Sequence, residues 1–215
     1  MGNWGRAEAA FDVAEDIGTI HDLGRHVLSV AVASMAELDP QPNGRPFQLG
    51  VNISARQLNT GELDRVVQSV LEQTGWPGES LLLEITESAL LFGLDGPVDV
   101  MSRLHDLGVS LAIDDFGTGY SSLARLGHLP VDQVKIDQSF VGSIDRKDDR
   151  LGRIVDAVLA IADALGLQTS AEGVETTAQL DHLRRSHCDF GQGYLFAKPL
   201  PFDEFARLLA SDPRW

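Results

Sequence analysis

Cysteine is almost absent from this chain. Its 215 residues include one, Cys188, so no internal disulfide can form, which fits a reducing compartment. Long apolar runs are missing as well. No stretch approaches the roughly 20 apolar residues that a membrane-spanning helix needs. Residues 1–16 carry charge where a secretory signal would place an apolar centre. The expectation from these absences is a cytoplasmic protein or domain. Positive charge is scarce: 17 Lys and Arg stand against 32 Asp and Glu, a formal net charge of −15. A surface of that sign repels nucleic-acid backbones and anionic lipid. An anionic substrate stays open provided metal ions mediate the contact. Paired His or Cys ligands are also lacking; His182 and His187 stand five apart, off a common helical face, which argues against zinc. There is no repeat, low-complexity tract or evident linker, so one domain over residues 1–215 is expected.

Apolar residues make up 43% of the chain, enough for a substantial core. Short apolar runs at 47–53, 81–86, 109–114, 133–136, 167–171 and 191–196 read as strands. Between them, apolar positions recur at helical spacing over 6–38 (broken near Gly18), 60–74, 97–107, 149–165, 176–185 and 202–209. Strict alternation of strand and helix predicts a parallel sheet covered by helices. A barrel and a doubly wound sheet both satisfy that pattern. No glycine-rich phosphate turn follows the 47–53 run, and chemically distinctive residues stand at the end of every strand, which favours the barrel.

Those strand ends carry the functional signal. The run Leu111-Ala112-Ile113 stops at two adjacent carboxylates, Asp114 and Asp115, and the glycine-punctuated loop 116–122 follows. Adjacent carboxylates at the end of a buried strand repel unless a cation lies beside them. Elsewhere the ends supply Asn52, Glu84 flanked by Leu83 and Ile85, Lys135 with Asp137, Glu172 with Glu175, and Gln192. In a parallel α/β fold the C-terminal strand ends meet on one face, so these residues converge. The set is oxygen-rich with one lysine, which suits Mg²⁺ or Mn²⁺. Two such ions would support in-line hydrolysis of a phosphodiester. Taken singly, each residue also has a plain structural reading: a turn former, a helix-start acid favoured by the helix dipole, a sheet-edge ion pair.

Five segments, NISARQL, EITESALL, AIDDFGTGYSSLARLGHLPVDQVKID, SAEGVE and GQGYLFAKPLP, together with FDVAEDIGTIHDLGRHVL near the start, resemble the successive signatures of the EAL domain, a bacterial family that cleaves cyclic di-GMP to the linear dinucleotide pGpG. The resemblance implies a TIM-type (β/α) barrel. It makes Asn52, Glu84 and Asp114 ligands of one metal, with Asp114 the bridge to a second held by Asp115 and Glu172. Glu172 doubles as a candidate base, Lys135 steadies the attacking water, and Gln192 and Asp137 are expected on the substrate side. Glu87 is expected to hold the 115–122 loop, which the family couples to dimerisation, so a homodimer or other self-association is implied. The Glu-Ala-Leu tripeptide that names the family is missing; Glu8-Ala9-Ala10 is the nearest match and sits in a helical context. The expectation is therefore a barrel lacking its first two strands, with six remaining, and either a phosphodiesterase or a catalytically impaired relative that binds cyclic di-GMP or a protein partner.

Overall fold

The computed structural model describes residues 11, 13–38, 47–87, 95–118, 126–144 and 152–214. Residues 8–10, the 119–122 part of the glycine loop and the expected helix start at 149–151 lie outside them.

Six strands, β1 (Leu49–Ile53), β2 (Leu81–Thr86), β3 (Ser110–Phe116), β4 (Gln133–Ile136), β5 (Gln168–Ala171) and β6 (Phe190–Gly191), form one sheet. Their spatial order equals their chain order, and every neighbouring pair is parallel. A doubly wound sheet reverses direction at a switch point; this one never does. Right-handed crossovers that always step the same way put every connecting helix on one face. The sheet curls around its other face as a half-barrel, a TIM-like α/β fold.

The helices are α1 (Ile20–Met35), α2 (Ala55–Asn59), α3 (Leu63–Thr74), α4 (Asp95–Asp106), α5 (Gln138–Val141), α6 (Gly152–Leu165), α7 (Thr177–Arg185) and α8 (Phe202–Ala210). Alternate strand residues Val51, Ile53, Leu81, Leu83, Ile85, Leu111, Ile113, Val134 and Ile136 face the helices and are buried. They pack with Leu28 and Val32 of α1, Val67 and Val70 of α3, Met101 and Leu104 of α4, and Val155 and Val158 of α6. Burying each large aliphatic side chain stabilises the fold by about 1.5–3 kcal/mol. At the far end of the chain Phe205 of α8 meets Phe47, just before β1, with ring centroids 6.0 Å apart. The last helix thus returns to the first edge of the sheet.

Two features differ from the sequence expectation. The 191–196 run is strand only at Phe190–Gly191; residues 194–196 form a turn, because the Leu195 and Phe196 amides donate to Val174 and Gly193 carbonyls rather than to a ladder. Two one-turn helices, α2 and α5, also follow strands directly. Ser54 and Gln57 build a reciprocal cap for α2, and Asp137 caps α5.

Candidate metal centre

Parallel register fixes which side chains share the inner face. Asn52 lies opposite Glu84, Glu84 opposite Ala112, and Ala112 opposite Gln133. One step further along, Lys135 pairs with Ser170. The inner face is therefore polar where the outer face is aliphatic.

Between β3 and β4 the register slips. Ile113 pairs with Val134 and Phe116 with Ile136, so Asp114 and Asp115 together stand opposite Lys135 alone. That is a β-bulge, and Asp115 takes the left-handed backbone conformation that goes with it, φ 54°. Successive strand residues ordinarily point to opposite faces. The extra residue turns both carboxylates to the same side, where one oxygen each from Asp114, Asp115 and Glu172 lies within 4.8 Å of the others.

Lys135 is the hub. It is 4% exposed, and its Nζ donates to Glu84 Oε2 at 2.6 Å and contacts Asp114 Oδ1 at 3.0 Å and Glu172 Oε1 at 2.6 Å. Burial works against the ammonium, but Glu84, Asp114 and Glu172 outweigh it and hold its pKa above the usual lysine value. Burial pushes the Glu84 carboxyl up, with Lys135 opposing and Asp114 adding to the rise. Glu172 is raised for the same reason, again against Lys135, with Asp114 and Glu84 contributing. One ammonium cannot neutralise four carboxylates. The surplus negative charge, held on oxygen ligands alone, suits a hard divalent cation, and these residues fit one. Gly50 helps to shape the site: a Cβ there would collide with the Glu84 Oε1 atom.

The other expected residues are placed differently. Asn52 is exposed on β1, beside Glu84 by register. Glu87, 3% exposed, accepts the Gly117 amide through Oε2 at 2.9 Å, tying the start of the glycine loop to the end of β2. Asp137 uses its carboxylate to accept the Ser139 amide at 3.0 Å and the Ser139 hydroxyl. Gln192 is exposed; its backbone joins Ala171 and Val174 at 2.8 and 3.0 Å. Sequence reasoning overlooked Gln133 and Ser170, both buried and both on the inner face below the cluster. Their signal was present as polar residues two apart from Lys135 and Glu172 on short, otherwise apolar strands.

The sequence profile of the EAL domain matches residues 2–199. The chain belongs to the EAL domain family. It is 42% identical over 203 residues to the cyclic di-GMP phosphodiesterase NbdA of Pseudomonas aeruginosa, covering 93% of this chain and 26% of that protein. The EAL domain of Mycobacterium smegmatis DcpA superposes with a TM-score of 0.82 at 41% identity, over 89% of this chain and 85% of that one. The PaMucR phosphodiesterase in complex with c-di-GMP superposes with a TM-score of 0.83 at 36% identity, over 91% and 78%. The chain spans about a quarter of the length of the curated relatives it matches. The fold is shared with these EAL structures. No helix among the described residues is long and apolar enough to cross a membrane.

Proposed function

We propose that this EAL domain binds two divalent cations, Mg²⁺ or Mn²⁺, and hydrolyses one phosphodiester of cyclic di-GMP to give linear pGpG. The observation that carries the reading is the convergence of Glu84, Asp114, Asp115 and Glu172 around buried Lys135. Asn52, Glu84 and Asp114 would hold one ion, and Asp114, Asp115 and Glu172 the other. The ions would supply Lewis acidity to the phosphodiester and make water a usable nucleophile at neutral pH. The remaining steps belong to the chain itself. Glu172, whose carboxyl is raised by burial, accepts a proton from the attacking water. Lys135 Nζ, whose three donors are engaged by Glu84, Asp114 and Glu172, would turn a donor to the incoming oxygen once those carboxylates hold the ions, and would offset negative charge on the phosphate. As the water oxygen bonds to phosphorus the bond from phosphorus to the ribose 3′ oxygen breaks, that oxygen leaves with the proton Glu172 took up, and the ring opens with the phosphate kept on the 5′ side.

In this reading Gln192 and Asp137 lie on the substrate side, and Glu87 holds the 115–122 loop. The work is cytoplasmic, where the dinucleotide would act as a second messenger. Self-association belongs to the same proposal, through β1 and β6, the outer strands of the sheet among the described residues. A second reading is a module that binds cyclic di-GMP with little turnover; its support is Lys135 Nζ, which three carboxylates already engage. Product formation with Mg²⁺ or Mn²⁺, beside direct binding of cyclic di-GMP, separates the two. Asp114→Asn should abolish pGpG formation, because the shared ligand loses its charge; undiminished turnover in that variant would overturn the two-cation reading.

A further inference from the structure

Gly193 has an unusual reason for being glycine. Its backbone is not in the left-handed region, so its conformation is open to any residue. What it lacks is room for a side chain. A Cβ at Gly193 would fall on the Val174 backbone, against its nitrogen and oxygen and 2.7 Å from its carbonyl carbon. Backbone cannot swing aside as a side-chain tip can.

The segment pressed against Gly193 is the one that carries Glu172. Val174 is fully buried, its amide donates to the Gln192 carbonyl at 3.0 Å, and its carbonyl accepts the Leu195 amide at 3.0 Å. The Gln192 amide donates to Ala171 at 2.8 Å and the Glu172 amide to Ile136 at 3.0 Å. On the opposite side Gly173, at φ 66°, lies against Gln138 at the start of α5, where a Cβ would come 3.3 Å from the Gln138 Cα. Residues 172–174 are thus clasped between α5 and the 192–196 turn.

We infer that Gly193 is a positioning residue: its missing side chain locks the turn bearing Gln192 to the loop bearing Glu172, so that the cation site and the turn beside it move as one body. The part concerning cations rests on the proposed function above; the clasp does not. A methyl group at 193 must part the two segments. It would draw the Glu172 carboxylate away from Lys135 and Asp114 without touching either.

The test compares the unmutated 215-residue chain with Gly193→Ala and with Gly127→Ala, where an added Cβ meets only Leu165 Cδ2 at ordinary contact distance, 3.7 Å. Amide hydrogen exchange in EDTA should show the Val174, Gln192 and Leu195 amides losing protection together in Gly193→Ala, while α3 keeps its own. Calorimetric titration with Mn²⁺ should show affinity falling by about 10–100-fold in Gly193→Ala, the range usual for groups that orient ligands from behind. Gly127→Ala should match the unmutated chain in both. The loss should vanish when Glu172→Gln is present in both members of the comparison, since the effect runs through Glu172. Unchanged protection at Val174 and Leu195, or unchanged Mn²⁺ affinity in Gly193→Ala, overturns the inference. If Gly193→Ala does not fold, the unmutated chain still decides: Mn²⁺ should slow exchange at Val174 and Leu195 in parallel, and independent responses refute the clasp. A failure of the cation reading would show separately, as no Mn²⁺ binding by the unmutated chain, and the clasp would then stand or fall on exchange in EDTA.

Discussion

Replacing Lys135 by methionine isolates the charge at the centre of the site. The stem keeps its packing, and the ammonium that touches Glu84, Asp114 and Glu172 at 2.6, 3.0 and 2.6 Å is gone. Stripping one partner from a buried ionic cluster costs about 3–5 kcal/mol, because the remaining charges stay buried and uncompensated. For a domain of this size that lowers the melting temperature by roughly 6–20 °C. The cost depends on pH in a direction the carboxyls set. Burial holds Glu84 and Glu172 above their usual range, so the folded state takes up protons more readily than the unfolded one. Stability from these two groups therefore falls as pH rises from about 4.3, the unperturbed glutamate value, through their raised folded values. Lys135 opposes both rises, so its removal extends that window upward. Lys135 itself, held above the usual lysine value, contributes stability throughout the range below about 10.4 and loses it only as pH climbs past its folded value. The deficit of Lys135→Met should accordingly be largest near pH 8 in EDTA and shrink toward pH 5. Millimolar Mn²⁺ at pH 8 should restore more stability to the variant than to the unmutated chain. Urea denaturation followed by circular dichroism at pH 5 and pH 8, with EDTA or Mn²⁺, measures all of this. A variant within about 1 kcal/mol of the unmutated chain in EDTA at pH 8, well short of the cost of an uncompensated buried cluster, would refute the reasoning. So would a deficit that does not change with pH.

Two further outcomes are expected. Glu87→Ala removes the acceptor for the Gly117 amide, and that amide should exchange faster with solvent while Mn²⁺ affinity falls; Glu87→Gln, which keeps a carbonyl oxygen in place, should preserve most of the protection. Unaltered exchange at Gly117 in Glu87→Ala would count against the anchor. Gly75→Ala places a side chain at the C-terminal cap of α3, where φ is 71° and an added Cβ meets nothing within 4 Å. The cost is conformational alone, about 1 kcal/mol by urea denaturation, with Mn²⁺ affinity unchanged.

Much of this site could be read from local sequence. Glu84 between Leu83 and Ile85 announces a carboxylate on the polar side of an otherwise buried strand, and it sits there with Lys135 as partner. The sequential strand order was less legible, since alternation alone permits both barrel and doubly wound sheets; the polar strand ends tipped the choice. The geometry of Asp114 and Asp115 was not legible. Period-2 alternation sends neighbouring residues to opposite faces, and the bulge that reunites them depends on register against β4, about twenty residues downstream. The turn at 194–196 was hidden for a related reason. Tyr194, Leu195 and Phe196 look like a strand, but the Leu195 amide donates to Val174 and the Phe196 amide turns back to Gly193. Asp137 shows the opposite ambiguity: a carboxylate one residue past a strand is equally a ligand candidate and a helix cap, and its observed contacts are those of a cap.

The chain-ordered sheet also bears on synthesis. Because each strand among the described residues pairs with its neighbours in sequence, the sheet can be laid down in chain order, one βα unit at a time. Asn52, Glu84, Asp114, Asp115, Lys135 and Glu172 all precede the two-residue strand β6 and the Gly193 turn in the chain. The carboxylate cluster can therefore gather around Lys135 on the nascent chain before the clasp that fixes Glu172 is made. The Gln192 side must wait for the last units, and it is held by the shortest strand of the sheet.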